Sequence, residues 1–192
     1  MPKKLSYADL GDACRAANAL DLVGDRWTLI LVRELILGPK RFADLQDAAR
    51  GITPAVLTDR LRALRQAGII EQIVLQDLAR TRAYVATDWG RGLEQVLQSL
   101  GRWYSAGPHP EPTGGMTPDA VVIAMRTMAP PTAKAIPPIA LRLYDARRAN
   151  PPTHDYQLST HDGALAIHPG TPANPAATIT ADSTTWQQIL FG

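Results

Sequence analysis

Side chains able to do covalent or metal chemistry are few in this 192-residue chain. A single cysteine, Cys14, excludes an intramolecular disulfide framework and every multi-cysteine zinc site. His154, His161 and His168 recur every seven residues. An odd spacing alternates faces in a strand, and the turn signal Asp162-Gly163 breaks the register between them, which argues against a shared metal. There is no Gly-x-Ser-x-Gly elbow, no phosphate-cradling glycine loop and no Cys–His pair evident from spacing. The expectation is a non-enzyme with no metal and no cofactor. What remains is a series of cations, Lys40, Arg41, Arg60, Arg62, Arg65, Arg80 and Arg82, interleaved with the small residues Thr53, Ala55 and Thr58. Cations beside small side chains suit close approach to a polyanion.

The whole-chain charge of +2 hides an asymmetry. Residues 1–105 hold 15 Lys plus Arg against 12 Asp plus Glu, and residues 106–192 hold 5 against 6. Proline divides the same way, with Pro2, Pro39 and Pro54 in the first part and the other 13 of 16 in the second. Proline is costly inside helices, so the first part can be mostly helical while the second must consist of short elements. The stretch 106–116, rich in Pro and Gly, reads as a linker between a domain over 1–105 and another over 117–192. No run of about 18 apolar residues exists to span a bilayer. The start, Met1-Pro2-Lys3-Lys4-Leu5, lacks the apolar stretch of a secretory signal, so the expected location is the cytoplasm and no membrane partner is expected.

Apolar spacing predicts helices over about 13–22, 27–37 and 41–49, the second almost wholly apolar and therefore central. Thr53-Pro54 opens a fourth, because Thr53 can cap free backbone N–H groups and a proline at the first helical position has no N–H to leave unpaired. Gly68 ends it. Residues 70–75 and 82–87 have strand character around the polar connection Gln76–Thr81, which makes a hairpin with a charged tip. A last helix opened by Thr87 or Asp88 carries Leu93, Val96, Leu97, Leu100 and Trp103 as an apolar stripe. That stripe fits either packing within the chain or a dimer interface, and its length and the Trp103-Tyr104 end favour the dimer.

On a helical wheel Leu57, Leu61 and Leu64 group as the buried face of the fourth helix. Ala55, Thr58, Asp59 and Arg62 then point outward, and Arg60 and Arg65 flank the core face. Arg62 could reach a base edge or a phosphate, whereas Arg60 and Arg65 are placed for phosphates. Lys40 and Arg41 precede the third helix, whose N-terminal dipole favours an anion, and Arg80 and Arg82 sit on the hairpin. Any one of these charges could be simply solvated. As a set, the five arginines Arg60, Arg62, Arg65, Arg80 and Arg82 on the fourth helix and the hairpin favour nucleic acid.

Three helices, a turn, a capped helix and a two-stranded ribbon make the plan of a winged helix-turn-helix. The string from Cys14 through Val23-Gly24-Asp25-Arg26-Trp27-Thr28 to Leu31, then Gly38-Pro39-Lys40-Arg41-Phe42-Ala43-Asp44-Leu45, Gly51-Ile52-Thr53-Pro54, Leu57-Thr58-Asp59-Arg60-Leu61, Gly68-Ile69-Ile70 and Thr87-Asp88-Trp89-Gly90, closely resembles the HxlR-type, MarR-like transcriptional regulators. The resemblance covers about residues 12–105. It implies a winged helix that dimerises through terminal helices and binds operator DNA.

Cys14, with Asp12 as the expected N-cap, falls in the first turn of its helix, where free N–H groups and Arg15 favour a thiolate while Asp9 and Asp12 oppose it. Some members of the resembling family use a cysteine here as a redox or electrophile sensor, often followed by proline where this chain has Arg15. A buried, inert thiol is the alternative.

The second domain opens with Thr117-Pro118-Asp119 on a helix to Met128, stopped by Pro130-Pro131. Ile139–Tyr144, Tyr156–Thr160, Ala164–His168 and Ala177–Thr180 read as strands, the middle pair a hairpin around Asp162-Gly163. Asp182 or Ser183 caps a last helix with Trp186, Ile189 and Leu190. This order resembles the sterol carrier protein type 2 fold, which implies a pocket for a small apolar ligand; a domain that only extends the dimer is the alternative. The expected class is thus α+β, a mainly α winged helix-turn-helix plus a small α+β domain. The expected function is a homodimeric, sequence-specific regulator, a repressor, reading a pseudo-palindrome in double-stranded DNA and controlled by an apolar ligand or thiol oxidation. The competing reading is a lipid or small-molecule binding protein whose winged helix docks protein.

Overall fold

The computed structural model describes residues 5–110, 112–130 and 134–191. Residues 1–4, Glu111 of the expected linker, Pro131 of the expected helix stop and the final Gly192 lie outside the described residues. Backbone contacts divide the chain into two compact units, Met1–Leu93 and Glu94–Gly192.

The first unit contains α1 (Arg15–Val23), α2 (Thr28–Ile36), α3 (Phe42–Ala48), α4 (Pro54–Gln66), β1 (Ile70–Val74), β2 (Arg82–Ala86) and the single turn α5 (Asp88–Arg91). Its core is built around α2, whose Leu31, Val32 and Leu35 are fully buried, with Leu45 of α3, Leu57, Leu61 and Leu64 of α4, and Ala83 and Ala86 of β2. Local chemistry fixes both ends of α4. Thr53 Oγ1 accepts from Val56 N–H at 3.4 Å, and Pro54 occupies the first position. At the other end Gly68 takes a left-handed φ of 71°, so Gly68 N–H reaches the Arg65 carbonyl and Ile69 N–H the Leu64 carbonyl, each at 3.0 Å. That pair of bonds is a Schellman motif, and its apolar contact is supplied by the buried Leu64 and Ile69.

Strands β1 and β2 pair antiparallel from Ile70↔Ala86 to Val74↔Arg82. A third segment joins them: Lys40 and Tyr84 exchange both backbone hydrogen bonds, at 2.9 and 2.8 Å. The chain then turns back onto α4's end. Thr87 donates its N–H to the Ile69 carbonyl at 3.0 Å and its hydroxyl to Gly68 O at 2.8 Å, while its oxygen caps Gly90 N–H at 3.1 Å.

The expected single terminal helix is two elements, α5 and α6 (Leu93–Ser105). Two glycines, poor helix formers, flank Arg91, and Gly92 N–H is shared between the Asp88 and Trp89 carbonyls at 3.2 and 3.1 Å. Gly90 cannot be anything larger, because a Cβ there would lie 2.0 Å from the Ile69 carbonyl oxygen.

From Glu94 onward α6 groups with the second unit, so the contact division falls at the first residue of this helix rather than in the Pro/Gly-rich stretch. Arg126 of α7 (Pro118–Met128) holds both carboxylate oxygens of Glu94 at 2.8 Å. The stretch between α6 and α7 is itself tied down. The Tyr104 and His109 rings stack with centroids 5.5 Å apart, and Gln187 donates to the Pro112 carbonyl at 2.6 Å. Beyond α7 a four-stranded sheet runs in the order β5-β4-β3-β6, made of β3 (Ile139–Tyr144), β4 (His154–His161), β5 (Ala164–Pro169) and β6 (Ala177–Asp182), followed by α8 (Ser183–Phe191). β3–β4 and β4–β5 are antiparallel, and β6 runs parallel to β3. Asp162 and Gly163 both take positive φ, 49° and 75°, as the two-residue hairpin turn requires. α7 is buried on nearly every side. Its one buried carboxylate, Asp119, accepts from the Tyr156 hydroxyl at 2.6 Å.

Candidate nucleic-acid interface

With Leu57, Leu61 and Leu64 at 0–2% exposure, α4 has one orientation available to it. Thr53, Ala55, Thr58, Asp59, Arg62 and Arg65 are all exposed, and Arg60 is half-buried at the edge of the core face. Small residues cluster at the N-terminal end of the helix and guanidinium groups toward its middle and C-terminal end. Thr58 donates its hydroxyl back to the Pro54 carbonyl at 2.8 Å.

The arginines are not equivalent. Arg62 donates to Asp59 at 2.8 Å, one turn earlier on the same exposed face. Exposed pairs of this kind are worth little and are screened by salt, so Arg62 can exchange Asp59 for a stronger acceptor. Arg60 points back toward Asp25 at 3.7 Å, and its Nε is buried without a hydrogen-bond partner. Arg62 and Arg65 line a cleft of about 510 Å³ whose other residues are Gln66, Ile70, Glu71 and Gln72.

Lys40 is drawn into the hairpin through its backbone bonds to Tyr84, and Arg41 stands at the N-cap position of α3. At the α3 N-terminus the chain's own Asp44 supplies a carboxylate, which accepts from Arg41 N–H at 3.1 Å. The Arg41 side chain turns instead to the hairpin and donates to Asp77 at 2.7 Å. Asp77 organises the tip: its other oxygen accepts from Thr81 N–H at 2.8 Å, and its carbonyl accepts from Arg80 N–H at 3.0 Å. The Thr81 N–H bond, with Arg41 beside it, holds the Asp77 carboxyl below the usual carboxylate range. Arg80 adopts a positive φ of 46° to close the turn, and Arg80 and Arg82 are both exposed.

Sequence reasoning missed three features here. Asp77 was one polar residue among several, although an Asp shortly before a Thr at a hairpin tip is a turn signal. The Lys40–Tyr84 bridge joins residues far apart in sequence and has no local signature. Leu78 is fully solvent-exposed at the apex.

The remaining expected sites lie elsewhere. Cys14 is exposed; it is the N-cap residue of α1 rather than a first-turn residue, and its N–H donates to Asp12 at 2.7 Å. Asp12 thus caps Cys14 itself, because the helix starts at Arg15. α1 buries none of its residues, and Leu20 and Leu22 are exposed along with Leu5, Tyr7 and Leu10 before it. On α6, Val96, Leu100 and Trp103 are 42%, 44% and 71% exposed, and Leu93 and Leu97 are half-buried. His154 and His161 sit seven apart on β4, hence on opposite faces, and His161 faces Asp162 at 3.0 Å. Among the described residues no group of three or more His, Cys, Asp or Glu is placed to hold a metal, and no helix is long and apolar enough to cross a membrane.

A family model described as HxlR-like helix-turn-helix matches residues 22–111. The HTH-type transcriptional regulator YodB of Bacillus subtilis (strain 168) is 33% identical over 86 residues, covering 45% of this chain and 77% of that protein. The HTH-type transcriptional regulator YdeP of the same organism is 34% identical over 92 residues, covering 48% of this chain and 72% of YdeP. The solved reduced form of YodB from B. subtilis aligns with 53% of this chain and 100% of its own, at 29% identity and a TM-score of 0.47. Helix α4 with its outward small residues, the paired ribbon and these relatives converge, and the chain belongs to the HxlR-like helix-turn-helix family of DNA-binding transcriptional regulators.

Proposed function

We propose that the protein is a homodimeric repressor that reads a pseudo-palindromic operator through α4 and its β1–β2 hairpin. The observation that carries the reading is the fixed orientation of α4: complete burial of Leu57, Leu61 and Leu64 turns Thr53, Ala55, Thr58 and Arg62 outward together. In this reading the small N-terminal residues admit the helix to a major groove, and Arg62 leaves Asp59 for a base edge. Arg60 and Arg65 take phosphates beside the helix, Lys40 and Arg41 take them beside α3, and Arg80 and Arg82 do so from the hairpin. The α6 stripe Leu93, Val96, Leu97, Leu100 and Trp103 supplies the dimer contact, supported by its exposure in the single chain. Twofold symmetry would set the two α4 helices about 34–36 Å apart.

The domain over residues 117–192 is assigned a sensory or dimer-supporting role, with a small apolar ligand as effector and a sterol carrier-like arrangement of sheet and helices. The exposed Cys14 thiol is a second input, because oxidants and electrophiles can reach it; Cys14→Ser should abolish any oxidant effect on DNA binding.

Selection of bound sequences from a random duplex pool, followed by a salt titration on the winner, tests the reading. A two-armed site with log affinity falling steeply with log salt is the expected result. Arg62→Ala should then cost about 1–3 kcal/mol on the selected site and little on random DNA. Equal losses on both would make Arg62 a phosphate contact. A pool without enrichment would overturn the regulator reading in favour of a protein-docking winged helix.

A further inference from the structure

Leu78 is fully exposed on a hairpin tip that is otherwise mostly polar. A lone exposed leucine is ordinarily unremarkable, but this one is held out on a braced corner. The Asp77 carbonyl accepts from Arg80 N–H at 3.0 Å, closing a turn around Leu78 and Ala79. Both Asp77 carboxylate oxygens are engaged, one by Thr81 N–H at 2.8 Å and the other by Arg41 at 2.7 Å. Leu75 N–H meets the Thr81 carbonyl at 2.8 Å beneath the turn. The apex is therefore tied to its own strands and, through Arg41, to the start of α3. It carries an apolar tip followed in the chain by the exposed Arg80 and Arg82.

Resting on the DNA-binding reading above, we infer that Leu78 is a minor-groove wedge. Arg80 and Arg82 grip the backbone beside it, and the leucine enters the groove and parts a base step. Apolar side chains used in this way partly unstack the step and bend the duplex toward the major groove. The charge pattern selects DNA as the occupant. An exposed leucine whose neighbouring carboxylate, Asp77, is paired with Arg41, and which is followed by the exposed Arg80 and Arg82 on the more basic unit, suits a groove walled by phosphates better than an apolar protein surface. The rigidity of the turn matters equally, since a tip that folded back on binding could not transmit force to a stacked step. One specificity follows: wing positions of the operator should favour pyrimidine–purine steps, which unstack most easily.

The test measures affinity, salt slope and end-to-end bending, by energy transfer between duplex termini, on the selected operator for the wild-type chain, Leu78→Ala and Arg62→Ala. Because the Leu78 side chain is fully exposed, Leu78→Ala leaves the fold intact, which thermal unfolding verifies. The expected result is roughly tenfold weaker operator binding for Leu78→Ala, from lost apolar burial, with an unchanged salt slope and a smaller bend. Sequence selection repeated with Leu78→Ala should lose the preference at the wing positions. Wild-type affinity and bend in Leu78→Ala, while Arg62→Ala is impaired, would overturn the wedge and leave the DNA-binding reading standing. Loss of affinity with an unchanged bend would also overturn it, as a contact without unstacking. Failure of the wild-type chain to bind any duplex in a salt-dependent way would overturn both.

Discussion

At Gly90 the absence of a side chain is a packing requirement. The Ile69 carbonyl already accepts from Thr87 N–H and lies near the Thr87 hydroxyl, both at 3.0 Å, and a Cβ on residue 90 would sit 2.0 Å from that same oxygen. Backbone, not a flexible side chain, would have to give. Gly90→Ala should therefore destabilise the first unit by about 1–3 kcal/mol, the usual range for overpacking, seen as a lower midpoint in thermal unfolding; an unchanged midpoint would mean that the 68–69 turn relaxes freely. Asp77 is the opposite case, a residue that acts through charge at a half-buried position. Its carboxyl is depressed chiefly by the bond from Thr81 N–H. A depressed carboxyl contributes stability that is present above the unfolded-state value, about 3.9 for Asp, and is lost as pH falls through the folded-state value. The hairpin tip should accordingly stay ordered at neutral and mildly acidic pH and loosen only in stronger acid. The Thr81 amide resonance should titrate below the ordinary aspartate range and lose that titration in Asp77→Asn. Titration at the ordinary value would remove Asp77 as the brace of the wing.

Elements whose signals are local were legible in the amino-acid sequence, and those fixed by distant partners were not. α4 is the clearest case, because Thr53-Pro54, the Leu57-Leu61-Leu64 spacing and Gly68 each act within a turn of the residue they control. Likewise Asp162-Gly163 sets its hairpin by backbone conformation alone. Pairing of β6 parallel to β3 has no such signature, since their contact is made across the whole β4–β5 hairpin. The Arg41–Asp77 bond spans 36 residues and was equally invisible, so the interface residues could be named while the pairing of Arg41 could not. Membership of α6 is the subtlest instance. Composition placed it with the winged helix, while its Glu94 is held by Arg126 of α7, with side chains only 19% and 17% exposed. Arg126 also donates to the Ile167 carbonyl of β5, which ties α6 to the sheet through one guanidinium. Arg126→Ala should cost roughly 1.5–3 kcal/mol, the range for hydrogen bonds to a charged group. Hydrogen exchange should then show faster exchange in α6 and α7 with α2 and α4 unchanged. Protection of α6 that followed α2 and α4 instead would return it to the first unit.

For the whole molecule, the consequence of an exposed α6 stripe is reach along DNA. One protomer offers a single α4 and a single hairpin, so it can neutralise only the phosphates of one half-site. The salt dependence of binding counts those phosphates, with log affinity changing by about −0.9 per contact on a log salt scale. A dimer binding in one step should therefore show close to twice the slope of a monomer, whatever each arginine contributes. Leu100, 44% exposed in the middle of the stripe, is the position at which to separate the two. A carboxylate there would have to be buried unpaired at an α6–α6 contact, at a cost that far exceeds the apolar contact it replaces, while in the single chain it would remain in water. Leu100→Glu should sediment as a monomer with unchanged thermal unfolding of the first unit. Its operator affinity should fall, its salt slope should drop to about half the wild-type slope, and it should bind one arm of the selected site as well as it binds both. A variant that stays dimeric, or a monomer that keeps the full slope, would place the twofold contact elsewhere, with the exposed apolar face of α1 the next surface to test.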